Sequence, residues 1–134
     1  KEEGKPILLD FTGYSCVNCR KMESDVWSDP ESYELLDKKF VIISLYVDDR
    51  EKLNDDRAGI YLLSNGGTKE VKTIGQYHSL FQGVNFKVIS QPYYVPVSSN
   101  YDLLNTPVQM TSVTEFKGFL DVSLKAFEAL TTTE

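Results

Sequence analysis

The sequence predicts an α/β domain in which a mixed sheet is sandwiched between helices, a three-layer α/β/α arrangement. Three observations predict it. Two near-continuous apolar runs, PILLDFT (6–12) and FVIISLYV (40–47), read as strands buried on both faces. The spacing between them is helical, so the chain opens β-α-β, with parallel strands and a right-handed crossover. Two short antiparallel patterns and a long amphipathic helix close the chain. A length of 134 residues fits one domain, 1–134, with a core of useful size.

Taken in order, PILLDFT is the first strand. From Cys16 the pattern turns helical, with Cys19, Met22, Glu23 and Val26 three and four residues apart. SDPE restarts a helix, because Asp29 can cap it and Pro30 suits a first position that needs no amide hydrogen. Tyr33, Leu36 and Phe40 should face inward from this second stretch. FVIISLYV follows as a second buried strand. Residues 50–88 form an inserted region between this strand and the next. Within it YLLSNGGTKEVKTIG reads as a hairpin, with NGG supplying the positive dihedrals of a tight turn. Ile60, Leu62 and Val71 are its expected packing residues, and QYHSLFQGVNF holds a short helix with Tyr77, Leu80 and Phe81. PYYVPVSS and TPVQMT should pair antiparallel through SNYD. In the last segment Ser112 and Glu115 form a capping box. Phe116, Phe119, Leu120, Leu124, Phe127 and Leu130 then make a single apolar stripe, expected to pack in the core.

With 41% hydrophobic and 25% charged residues, the composition is that of a soluble globular protein. The longest apolar run is too short to cross a bilayer. A net charge of −6, with no basic stripe, argues against nucleic acid. The opening KEEGKPILLD, without an initiator Met or an apolar leader, reads as the start of a processed or excised piece.

The chemistry rests on Cys16 and Cys19, the only cysteines. A zinc site wants four ligands, whereas this chain offers two Cys and the distant His78. His78 reads as a surface or partly packed residue. A structural disulfide across so short a loop removes little unfolded-state entropy. A redox pair explains the placement. Cys16 sits where a strand ends and a helix begins, so unpaired amides and the positive helix end favour its thiolate. Cys19, three residues on, shares its helix face and can close a disulfide. Arg20 and Lys21 add positive charge, or are simply solvated. Asp10, inside the apolar strand, has two readings: a turn anchor, or a buried acid that exchanges a proton with Cys19. Glu23, one helical turn beyond Cys19, either assists or is a solvated helix-face residue.

The stretch LLDFTGYSCVNCRKME resembles the thioredoxin superfamily, and more narrowly the C-terminal periplasmic domain of the DsbD thiol:disulfide interchange family. Asp10, Cys16, Val17, Cys19, Arg20, Glu23 and SDP (28–30) match that family's pattern. Ser15 stands where a Trp is usual, and Val17 and Asn18 separate the cysteines. The resemblance implies a thioredoxin-like fold and two active-site carboxylates, Asp10 and Glu23. It also implies a cis-proline, Pro92 in SQPYYV, facing the cysteines. The activity implied is protein-disulfide reduction by dithiol exchange, with no metal or organic cofactor. Electrons would arrive from a transmembrane thiol/disulfide domain and leave to disulfide-containing periplasmic proteins, cytochrome c maturation factors among them. The alternatives are a free-standing thioredoxin-like protein with one client, or a redox-sensing binding module without turnover.

Overall fold

The computed structural model describes residues 4–132, so the reading of the chain start at 1–3 falls outside the described residues. Strand β1 (Ile7–Thr12) is buried along its whole length. It pairs in parallel with β2 (Val41–Tyr46), Ile7 opposite Val41 and Asp10 opposite Ser44. On its other side it pairs antiparallel with β5 (Tyr93–Val97), Phe11 opposite Tyr93 and Ile7 opposite Val97. The sheet is therefore mixed, in the order β2-β1-β5.

Side chains alternate along β1, so its two faces feed two cores. Leu8 faces a cluster with Met22, Val26, Leu36, Phe40, Tyr94, Phe116, Phe119 and Leu120. These come largely from α1 (Val17–Met22), the π-helical turn Glu23–Trp27, α2 (Pro30–Lys39) and α4 (Val113–Thr132). Ile7, Leu9 and Phe11 face the opposite way, with Tyr93, Val95 and Val97, against Phe86 of α3 (Ile74–Phe86). Helices thus cover both faces.

The local signals explain the helix ends. Asp29 accepts the Ser32 amide at 3.2 Å and Pro30 opens α2. Ser112 and Glu115 exchange side-chain and backbone bonds ahead of α4. Thr73 and Gln76 make a second capping box at α3. Gly75 is needed because a Cβ there would lie 2.6 Å from the Val47 carbonyl and the Asp49 amide.

Several expectations are corrected. Tyr33 points to solvent, whereas Leu36 and Phe40 are buried. β2 is half exposed, with Ile43 and Ser44 open, because only β1 pairs with it among the described residues. The hairpin forms from β3 (Gly59–Leu62) and β4 (Thr68–Val71), turning through Gly66 at φ 88°. Of its expected packing residues only Val71 is buried; Ile60 is 72% and Leu62 79% exposed. The helix after it is longer than expected, and Phe81 and Phe86 pack against Phe11. TPVQMT pairs with β5 only through the Tyr94–Val108 bridge. Pro96 and Pro107 have no amide hydrogens to extend that ladder. The α4 stripe buries Phe116, Phe119 and Leu120, while Leu130, near the helix end, is exposed.

Candidate active site

β1 delivers the chain from the buried sheet to its end, and the next turn starts α1 at Cys16. Cys16 is the N-cap residue, in an extended conformation, and its Sγ accepts the Cys19 amide at 3.1 Å. It is bonded to Cys19 with a Cα–Cα distance of 5.3 Å. The two sulfurs differ in access: Cys16 is half-buried, and Cys19 is 1% exposed on the core side of the helix.

The loop ahead of Cys16 is fastened from β2's end. Asp48 accepts the Tyr14 amide at 2.9 Å and the Ser15 amide at 3.1 Å. Partial desolvation opposes ionisation of Asp48, but these amides outweigh it and hold the carboxyl below its ordinary range. The Tyr14 ring stacks on Tyr46 at 4.0 Å. Arg20 Nη2 donates to Thr12 Oγ1 at 2.9 Å and to Glu23 Oε2 at 3.0 Å, so the first turn of α1 lies over the end of β1.

Asp10 is 2% exposed and shares the β1 face of Leu8, the face that α1 covers. Burial pushes its carboxyl up to about 6; Ser44 and Arg20 pull against the rise, and Glu23 adds to it. The Ser44 hydroxyl donates to Asp10 Oδ2 at 3.1 Å. Glu23 is half-exposed and ion-paired with Arg20. Its influence on Asp10 is therefore through space.

The Gln91–Pro92 peptide is cis, and Pro92 is buried immediately before β5. Since Phe11 pairs with Tyr93, continuing the antiparallel register sets Pro92 beside Thr12, at the end of β1 that leads to Cys16. Cys16, Cys19, Asp10 and Pro92 thus gather at one end of the sheet, with Glu23 one turn along the helical arm. His78 lies apart from this group, its Nδ1 3.0 Å from the Tyr46 carbonyl oxygen. Among the described residues no group of three or more His, Cys, Asp or Glu side chains could hold a metal ion. No helix among them is long and apolar enough to cross a membrane.

Sequence reasoning missed Ser44, Asp48 and Gln82. Ser44 interrupts the apolar run FVIISLYV, and Asp48 follows its end, so both carried a faint signal. Gln82 carried none, because an amide in a helix is ordinarily solvated.

A disulfide at a helix start, after the central strand of a mixed sheet and beside a cis-proline strand, is what comparison with solved structures returns. The DsbH oxidoreductase is similar at a TM-score of 0.61 and 16% identity, covering 92% of this chain and 75% of that one. The chain has a thioredoxin-like fold. A thioredoxin from Thermus thermophilus is similar at a TM-score of 0.58 and 19% identity, covering 90% of this chain and 74% of the other. The oxidised C-terminal domain of Neisseria meningitidis DsbD is similar at 0.56 and 16% identity, covering 90% and 82%. A thioredoxin-like family model matches residues 1–65. No curated protein sequence matches. The thioredoxin-like fold with its Cys16–Cys19 disulfide supports thiol–disulfide exchange, and the DsbD resemblance stands on the same two features.

Proposed function

We propose that this thioredoxin-like chain is a protein-disulfide reductase that passes electrons through Cys16 and Cys19. One observation carries the reading. The half-buried sulfur of Cys16 caps a helix and accepts a backbone amide, while its partner Cys19 is buried. That environment favours a thiolate on Cys16 and keeps Cys19 for the second step.

In the reduced protein the Cys16 thiolate attacks one sulfur of a client disulfide. The client S–S bond breaks, one client sulfur leaves as thiolate and takes a proton, and a mixed disulfide remains. Cys19 loses its proton to the Asp10 carboxylate, whose affinity for protons is poised near neutrality by burial. The Cys19 thiolate then attacks Cys16 Sγ and expels the second client thiolate, which is protonated in turn. The client gains two electrons and two protons, and Cys16–Cys19 is left oxidised. A dithiol donor restores it; the DsbD resemblance suggests a transmembrane thiol/disulfide domain, a periplasmic setting and clients that include cytochrome c maturation factors. Glu23 assists by raising the proton affinity of Asp10. Pro92, with no amide hydrogen, keeps the start of β5 free for an extended client chain. Partner choice is assigned to the hairpin at 59–71, whose Ile60 and Leu62 remain open to a second surface.

The test is a turnover assay on a protein disulfide with dithiothreitol as donor, together with a measured reduction potential. Multiple turnovers that vanish in Cys16→Ser, with a potential near the reducing end of the range, are expected. A protein that is oxidised once and never turns over would be a redox-sensing module instead.

A further inference from the structure

The most deeply buried polar side chain of α3 is Gln82, at 0% exposure, on a helix whose other inward residues are aromatic or small. An amide enclosed in that way is costly unless its hydrogen bonds are made, and an apolar side chain of the same size would fill the space without that requirement. Here the bonds are made, and they converge on one short segment. Gln82 Nε2 donates to the Ser90 carbonyl at 2.9 Å. Gln82 Oε1 accepts from Gln91 Nε2 at 3.0 Å. Gln91 Nε2 also donates to the Ile89 carbonyl at 3.1 Å. From the other side, Ser90 Oγ donates to Gln109 Oε1 at 3.2 Å. Residues 89–91, the run that ends at the cis bond, are thereby held to the helix on one flank and to the 108–109 segment on the other. Ile89 and Ser90 face solvent, while Pro92 is buried.

We infer that Gln82 is a positioning residue for client recognition: it holds residues 89–91 so that the chain before Pro92 presents a fixed edge to an extended client strand. This rests on the reductase reading above. Gln82 belongs to the helix layer and touches neither cysteine in the sequence of bonds just given, so its effect is on how a polypeptide docks and leaves the exchange chemistry alone. A small disulfide makes no use of that edge, whereas a protein disulfide does.

The experiment compares reduction of a protein disulfide with reduction of oxidised glutathione by the parent, Gln82→Leu and Gln91→Ala. Gln82→Leu removes both helix-side bonds while keeping the volume. Gln91→Ala breaks the same pair from its half-buried end, and serves if the first variant folds poorly. The expected result is a KM for the protein disulfide raised roughly tenfold, the effect of losing one buried hydrogen bond, with kcat and the glutathione rate close to the parent's. A merely structural role would lower the melting temperature and leave the ratio of the two substrates at the parent value, and that outcome overturns the inference. So does an equal loss on both substrates. A parent that reduces neither substrate overturns the reductase reading and takes this inference with it. A parent active on both, with variants that keep its ratio, overturns the inference alone.

Discussion

Two thiols three residues apart are made unequal by where the helix begins. Cys16 caps it and remains half-buried, while Cys19 sits one turn deeper in the core. Limiting iodoacetamide on the reduced protein near neutral pH should therefore label Cys16 first, as peptide mapping will show; dominant label on Cys19 would reverse the roles. Asp10 makes a second, sharper expectation. Its folded carboxyl is raised to about 6 from an ordinary 3.8, so the folded state holds that proton more tightly than the unfolded chain. The stability this gives is fully present below pH 3.8 and is lost as pH rises through about 6; by pH 7.5 the loss is about 3 kcal/mol. Asp10→Asn should abolish that dependence, so it should be more stable than the parent at pH 7.5 and no more stable near pH 4. Its turnover should nevertheless fall. Denaturant titrations at the two pH values, beside the activity assay, check both halves. Ser44→Ala removes a hydrogen bond to the carboxylate, so the Asp10 midpoint followed by carboxyl-carbon NMR should move above about 6. An unmoved midpoint would mean that water replaces the hydroxyl.

Elements here are joined by a few close approaches more than by large interfaces. The start of α3 rests on the backbone that leaves β2: the Gly75 amide donates to the Asp49 carbonyl at 3.0 Å, and the space for a side chain is absent. That same backbone carries Asp48, which fastens the loop leading to Cys16. Gly75→Ala should thus push the helix away from 47–49 and cost on the order of 3 kcal/mol, the upper range for overpacking. It should also quicken hydrogen exchange at the Tyr14 and Ser15 amides, because the Asp48 anchor moves with its strand. Normal exchange at those amides in a destabilised variant would show that the helix and the loop are uncoupled. The π-helical turn Glu23–Trp27 is a second such joint. It carries the chain from α1 to the Asp29 cap while burying Val26, and turns of this kind recur at functional sites.

Across the whole molecule, the two helix layers close on β1 from opposite faces, and the hairpin stands outside that arrangement. Gly59 pairs with Val71, so the ends of the hairpin already lie side by side. Replacing 60–70 by a two-residue Asn-Gly turn should keep the fold and alter stability little, because the Ile60 and Leu62 side chains that it removes are exposed. A larger cut reaching Ser79 would take the start of α3 and Gly75 with it. With the hairpin shortened, reduction of a small disulfide should persist, and exchange with the native donor or client should collapse. Rates equal to the parent's on both would make the hairpin surface ornament.

Sequence alone determined the parts whose cause is local. The β-α-β opening followed from two apolar runs, and Asp29 with Pro30 and Ser112 with Glu115 fixed helix starts through bonds within four residues. The cysteine spacing showed the pair, and the isolated charge in PILLDFT pointed to Asp10. Tertiary structure alone decided what depends on neighbours distant in the chain. FVIISLYV looked doubly buried because burial was read from its own residues, yet exposure belongs to the edge it occupies. Ile60 and Leu62 alternate like a packed hairpin, but no layer covers them. Ser44 became the partner of Asp10 through a sheet register that joins residues 34 apart. Gln82 became the anchor of 89–91 because the chain after α3 folds back along the helix, and only that return converts a surface-type amide into a buried clamp.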